Sequence, residues 1–131
     1  LLGLLTYFYA LLHLSCYAVF DMGLDLTDIL ADISKRTFIL LGFAAWVLLT
    51  AMALTSFNQA IRWLGAARWQ TLHRSVYAVA VLAVLHFWWM RAGKNNFDEV
   101  ILYAAVLALL LGWRVWNRHR KGQMKATKKA T

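Results

Sequence analysis

Four stretches of this chain, Leu1 to Phe20, Thr37 to Phe57, Leu72 to Met90 and Val100 to Trp116, each run for about one bilayer thickness with almost no acidic or basic side chain inside them. A hydrocarbon core of roughly 30 Å takes about 20 apolar residues in a helix, so each stretch is long enough to cross. Lipid offers the backbone no hydrogen-bond partners, which leaves only a helix or a closed barrel. Barrel strands alternate apolar and polar residues, and these stretches do not alternate. The expected fold is therefore all-α, a polytopic transmembrane bundle with four spans. The wider composition agrees, with 62% hydrophobic residues, 15% charged residues and no proline.

The links between the stretches differ sharply in charge. Arg62, Arg68 and Arg74 flank the second link, and Arg114, Arg118, Arg120, Lys121, Lys125, Lys128 and Lys129 occupy the end of the chain, together ten of the fourteen basic residues. All six acidic residues, Asp21, Asp25, Asp28, Asp32, Asp98 and Glu99, fall in the first and third links. The positive-inside rule then puts the second link and the tail in the cytoplasm, and the acidic links on the outer, periplasmic side of a bacterial inner membrane. Trp63, Trp69, Trp113 and Trp116 mark the cytoplasmic interface, and Trp88 with Trp89 the outer one. A net charge of +8 raises the question of nucleic acid. A basic tail directly after a span is better matched to anionic lipid, and so short a tail holds no nucleic-acid recognition fold. The division expected is a membrane domain over 1–116 and a basic cytoplasmic tail over 117–131. In the first link, Asp21 to Arg36, leucines and isoleucines recur at helical spacing between aspartates, as in a helix lying at the interface.

Histidine is the residue that carries chemistry here. His119 lies in the basic tail and reads as solvated, whereas His13 and His86 sit well inside the first and third stretches. An ionisable group at membrane depth is a functional candidate, and imidazole is a usual axial ligand of buried b-type haem. The first and third spans run in the same direction, and His13 and His86 lie at nearly the same depth. They can share one haem iron. His73 is thirteen residues before His86, about 20 Å deeper and turned by about 220°, so it points to a second redox site near the cytoplasmic face. A second haem, a flavin or a quinone are its possible occupants, and a structural role with interfacial water and lipid is the plain alternative. Ala78, Ala80 and Ala83 leave room for a flat macrocycle, and Tyr9, Tyr17 and Phe20 can line its edge. Ala44, Ala45, Ala51 and Ala53 read as close helix packing. Cys16, the single cysteine, reads as a packing residue.

The run Leu1 to Leu4, the segment Leu11 to Ala18 around His13, Leu54 to Ser56, Trp69-Gln70-Thr71-Leu72-His73-Arg74-Ser75-Val76-Tyr77 and Leu85-His86-Phe87-Trp88 together resemble one family. They look like the MsrQ (YedZ) family of the ferric-reductase-like transmembrane superfamily, from Leu1 to roughly Arg91 and more loosely beyond. The resemblance implies haem association at His13, His73 and His86, one or two haem b groups, and flavin mononucleotide. It implies electrons drawn from the quinone pool or a cytoplasmic flavin reductase and passed to MsrP, a periplasmic molybdenum-dependent methionine-sulfoxide reductase, for repair of oxidised periplasmic proteins. The family has about six spans. The start at Leu1, inside an apolar run and without methionine, raises the expectation of an upstream part, and the short tail that of a separate electron donor. No nucleophile with an adjacent base, metal cluster or phosphate loop is visible, so a relay with catalysis in another subunit is expected. The competing readings are a related cytochrome that reduces metal ions or oxygen, and a non-redox membrane interaction protein with structural histidines.

Overall fold

The computed structural model describes residues 2–94 and 97–130, with the side chains of residues 118 and 121–130 left aside. The described chain is helical: α1 (Leu2–Cys16), continued by a wider π-type turn (Tyr17–Asp21), then α2 (Leu26–Lys35), α3 (Thr37–Leu54), α4 (Asn58–Leu64), α5 (Ala66–His73), α6 (Val76–Ala92) and α7 (Asp98–Ala130). Among the described residues, four segments are long and apolar enough to cross a membrane: Leu2–Asp21, Thr37–Leu54, Ala66–Ala92 and Asp98–Asn117. The four-span, all-α expectation is met.

Helix α3 organises the bundle. It packs along the length of α6 and also holds α1 and α2, while α7 packs on the far side of α6. The α3–α6 pair is antiparallel. Met52 Sδ accepts from Ser75 Oγ at 3.3 Å at one end, and the Phe38 carbonyl meets His86 at the other. Ala45 on α3 and Val79 on α6 are buried between these ends, as the small-residue reading of this helix requires. The α6–α7 pair is closed by aromatic and charged contacts: Trp88 with Phe97 (4.9 Å), Phe87 with Tyr103 (6.1 Å), and an ion pair between Arg91 and Glu99. Most large apolar side chains lie outside these seams, with Leu2 81% and Leu109 74% exposed. So much open apolar surface calls for lipid or further helices around it.

The first link forms a short amphipathic helix, as its spacing suggests. Asp25 caps α2, its Oδ1 accepting from the backbone N–H of Thr27 and Asp28. Asp32 on α2 is buried, accepts from the Tyr17 hydroxyl at 2.8 Å, and pairs with Arg36. This fixes α2 against the end of α1. Tyr17 is thus turned toward α2 rather than offered to the edge of a cofactor.

The third span starts earlier than its apolar run and is broken once. Between α5 and α6, the Ser75 hydroxyl donates back to the Leu72 carbonyl and its N–H donates to the same oxygen, a tightened turn of the kind that bends helices. Gly65, at φ +75°, joins α4 to α5 in a conformation that side-chain-bearing residues resist. The second span ends at Leu54, short of Phe57, because the Thr55 and Ser56 hydroxyls turn back to carbonyls of the last turn. The last span continues as one helix through the polar tail to Ala130.

Candidate functional site

The two deep histidines meet. His13 projects from α1 and His86 from α6, two helices that have little backbone contact with each other and are both held on α3. Their ring centres are 6.2 Å apart, with the planes at 77°. Two imidazoles bound on opposite sides of one metal ion, each through a metal–nitrogen bond of about 2 Å, have centres about 6 Å apart. The spacing fits a single iron between them.

The surroundings of His86 fix which nitrogen is free. Its Nδ1 lies 2.6 Å from the Phe38 carbonyl oxygen, and since a carbonyl only accepts, Nδ1–H donates. In the neutral ring that leaves Nε2 free, the tautomer a metal ligand needs, and the bond to a carbonyl is the usual way of orienting such a ligand. Within α3, the Phe38 carbonyl is also the oxygen toward which Gly42 N–H points, four residues on. The imidazole approaches this spot because residue 42 has no side chain. A Cβ there would lie 2.8 Å from His86 Nδ1 and 2.9 Å from Cε1, closer than packed atoms stand. Phe38 also places its ring 6.2 Å from that of His86.

His13 is exposed on the flank of α1, and its ring contact is His86. Among the described residues no group of three or more His, Cys, Asp or Glu side chains gathers to hold a metal ion. Two imidazoles suit a metal that arrives with its other donors, as haem iron does with four ring nitrogens. The Nδ1 tie, the Gly42 notch and the ring spacing all fit that group.

His73 lies apart, at the end of the bundle that carries the basic residues. It closes α5, stacked on Trp69 with ring centres 4.0 Å apart and planes at 25°, and its Nδ1 is 3.2 Å from the Trp69 carbonyl. Trp69 is anchored in turn, its indole N–H donating to the Thr55 carbonyl at the end of α3 at 2.9 Å. His73, Trp69, Gln70, Arg74, Tyr77 and Arg114 line a cleft of about 470 Å³. Arg114, from α7, sits over the Tyr77 ring at 5.8 Å.

The structure brings His13 and His86 together, as their matched depth leads one to expect, and leaves His73 apart. Sequence reasoning missed Gly42 and Phe38, which shape the His86 pocket, and it read Trp69 only as an interface marker. A glycine inside an apolar helix was the one available signal, since it marks a close approach. The Phe38 contribution is a backbone carbonyl and left no trace in residue type.

The chain matches the family described as ferric reductase like transmembrane component over residues 1–84. It is 60% identical over 130 residues to the protein-methionine-sulfoxide reductase heme-binding subunit MsrQ of Polaromonas naphthalenivorans, covering 99% of this chain and 59% of that protein. It is 54% identical over 120 residues to the protein of the same name from Bordetella pertussis, covering 90% and 58%. The chain thus spans a little under three fifths of the length of these relatives. No solved structure matches it significantly. With the family match running through α1, α3 and the first half of α6, the chain belongs to the ferric-reductase-like transmembrane family.

Proposed function

We propose that this chain is the haem-carrying part of a membrane electron relay, in which His13 and His86 would together hold one b-type haem. The observation that carries the reading is the ring pair at 6.2 Å with His86 Nδ1 committed to the Phe38 carbonyl. Bound haem supplies a one-electron couple within the bilayer. The residues do the rest: α3 holds α1 and α6 apart, Gly42 admits the imidazole, and the Phe38 carbonyl keeps Nε2 of His86 free. His73 is assigned to the inner side of the relay, as ligand of a second haem or as contact for flavin mononucleotide or a quinone. Its distance from His86 along the chain and its place at the basic end support that assignment.

In this reading the basic end and the tail over 117–131 face the cytoplasm, and the acidic links face the periplasm of a bacterial inner membrane. Residues 1–116 form the haem domain. Electrons enter from the quinone pool or a cytoplasmic flavin reductase and leave toward MsrP, a periplasmic molybdenum-dependent methionine-sulfoxide reductase that repairs oxidised proteins. The names of the relatives support the methionine-sulfoxide system. The breadth of the ferric-reductase-like family supports a second reading, the same scaffold delivering electrons to a metal ion or oxygen.

The test is re-oxidation of the reduced full-length protein under anaerobic conditions. The proposal expects rapid re-oxidation on adding MsrP with methionine sulfoxide, and slow re-oxidation with a ferric chelate. The reverse order favours the second reading and sinks the first.

A further inference from the structure

The cleft at the basic end carries charge that the protein leaves uncompensated. Arg74, at the α5–α6 turn, and Arg114, on α7, both line it, and among the described residues neither guanidinium is paired with a carboxylate. None can be near in sequence either, since all six acidic residues lie in the links at the opposite end of the spans. Both arginines are exposed and neither can shed its charge, so the cleft presents two cations to an anion from outside the chain.

The depth of the cleft says which anion is at hand. Arg114 lies between Trp113 and Trp116 in the sequence, residues that are 59% and 55% exposed and mark headgroup depth. Arg74 and Arg114 both lie within the candidate spans rather than in free loops. At that level the abundant anion is the phosphodiester of an acidic phospholipid, and basic pockets between helices are known to hold such headgroups. The cleft also offers further donors, the Gln70 amide and the Tyr77 hydroxyl, while Val76 adds an apolar edge that is 41% exposed. Its volume of about 470 Å³ exceeds what a phosphate needs and accommodates a glycerol-phosphate headgroup.

We infer that the Arg74–Arg114 cleft is a binding site for the phosphate of an anionic phospholipid, which bridges the α5–α6 turn to α7. Arg114 is already held over Tyr77, so one jaw is positioned before the lipid arrives. The site is separate from the His13–His86 haem, because neither arginine contacts either ring, but His73 lines it too, and a lipid headgroup there excludes a second haem or a flavin from the same cleft.

The experiment is native mass spectrometry of the full-length protein from detergent micelles containing equal amounts of palmitoyl-oleoyl phosphatidylglycerol and phosphatidylcholine. The comparison is the wild type against Arg74→Gln, Arg114→Gln, the double variant, and Arg74→Lys/Arg114→Lys. The expected result is retained phosphatidylglycerol in the wild type, weakened about fivefold by each glutamine substitution and largely kept by the lysine pair. The absorption of the His13–His86 haem should be unchanged in every variant, which reports an intact fold. Equal retention of both lipids, or equal phosphatidylglycerol retention in the wild type and the double variant, overturns the inference. Displacement of the lipid by inorganic phosphate assigns the cleft to soluble phosphate and overturns it as well. Should the glutamine variants lose their haem, the lysine pair decides: without lipid retention there, the inference fails.

Discussion

His86 rests over Gly42 so closely that a single added carbon at position 42 would stand 2.8 Å from its Nδ1. The imidazole reaches the Phe38 carbonyl only through that gap, and the hydrogen bond made there selects the tautomer that leaves Nε2 free. Gly42→Ala is therefore expected to push the ring away and loosen its orientation. Loss of such an orienting contact typically weakens metal affinity about 10- to 100-fold. Haem content measured as pyridine haemochrome should fall, and the oxidised spectrum should shift toward weaker axial ligation. Full haem content with an unaltered spectrum would show that the notch has no role in ligation.

Trp69 ties the end of α3 to the start of the third span through its indole N–H and the Thr55 carbonyl. In Trp69→Phe the stacking on His73 can persist while that bond is lost. The expected cost is about 1 kcal/mol. It should appear as a lower midpoint for heat-induced loss of the haem spectrum, with haem content at ambient temperature unchanged. An unmoved midpoint contradicts the clamp.

Asp32 has two partners of unequal worth. Arg36 pairs with it at 2.8 Å across one helical turn, but that side chain is 58% exposed, and exposed pairs of this kind contribute little. The Tyr17 hydroxyl, half-buried, joins α2 to α1. Tyr17→Phe leaves a buried carboxylate short of a donor and is expected to cost about 1–3 kcal/mol, more than Arg36→Gln. Thermal unfolding of the two variants decides the order, and a greater loss in Arg36→Gln reverses it.

His73→Ala is expected to slow reduction of the protein by its electron donor while leaving the His13–His86 haem in place. A fall in haem content from about two per chain to about one identifies His73 as a ligand, and an unchanged content leaves it to flavin or quinone. Reduction at the wild-type rate removes His73 from the relay.

Much of this was legible in the sequence because lipid imposes few solutions. Length and apolarity define the spans, and the depth of His13 and His86 follows from a rise of 1.5 Å per residue. What composition conceals is local hydrogen bonding. The turn at Ser75 lies inside an apolar run and depends on a hydroxyl that equally well sits in a straight helix. Tyr17 looked available to a cofactor because its partner, Asp32, is fifteen residues on, in a helix whose packing no periodicity specifies. The Phe38 carbonyl is a backbone group that any residue would supply. The side chains of the tail lysines, Lys121, Lys125, Lys128 and Lys129, and of Arg118 lie outside the described residues, so their expected lipid contact stands on charge alone.

The central claim is that His13 and His86 hold one haem between them, and visible spectroscopy of the purified full-length protein addresses it directly. Oxidised and dithionite-reduced spectra should show a six-coordinate b-type signature. His13→Ala and His86→Ala should each abolish or convert the same spectral component, since both rings serve one iron. A folded but colourless protein, or single variants that both retain the wild-type spectrum and haem content, would contradict the account.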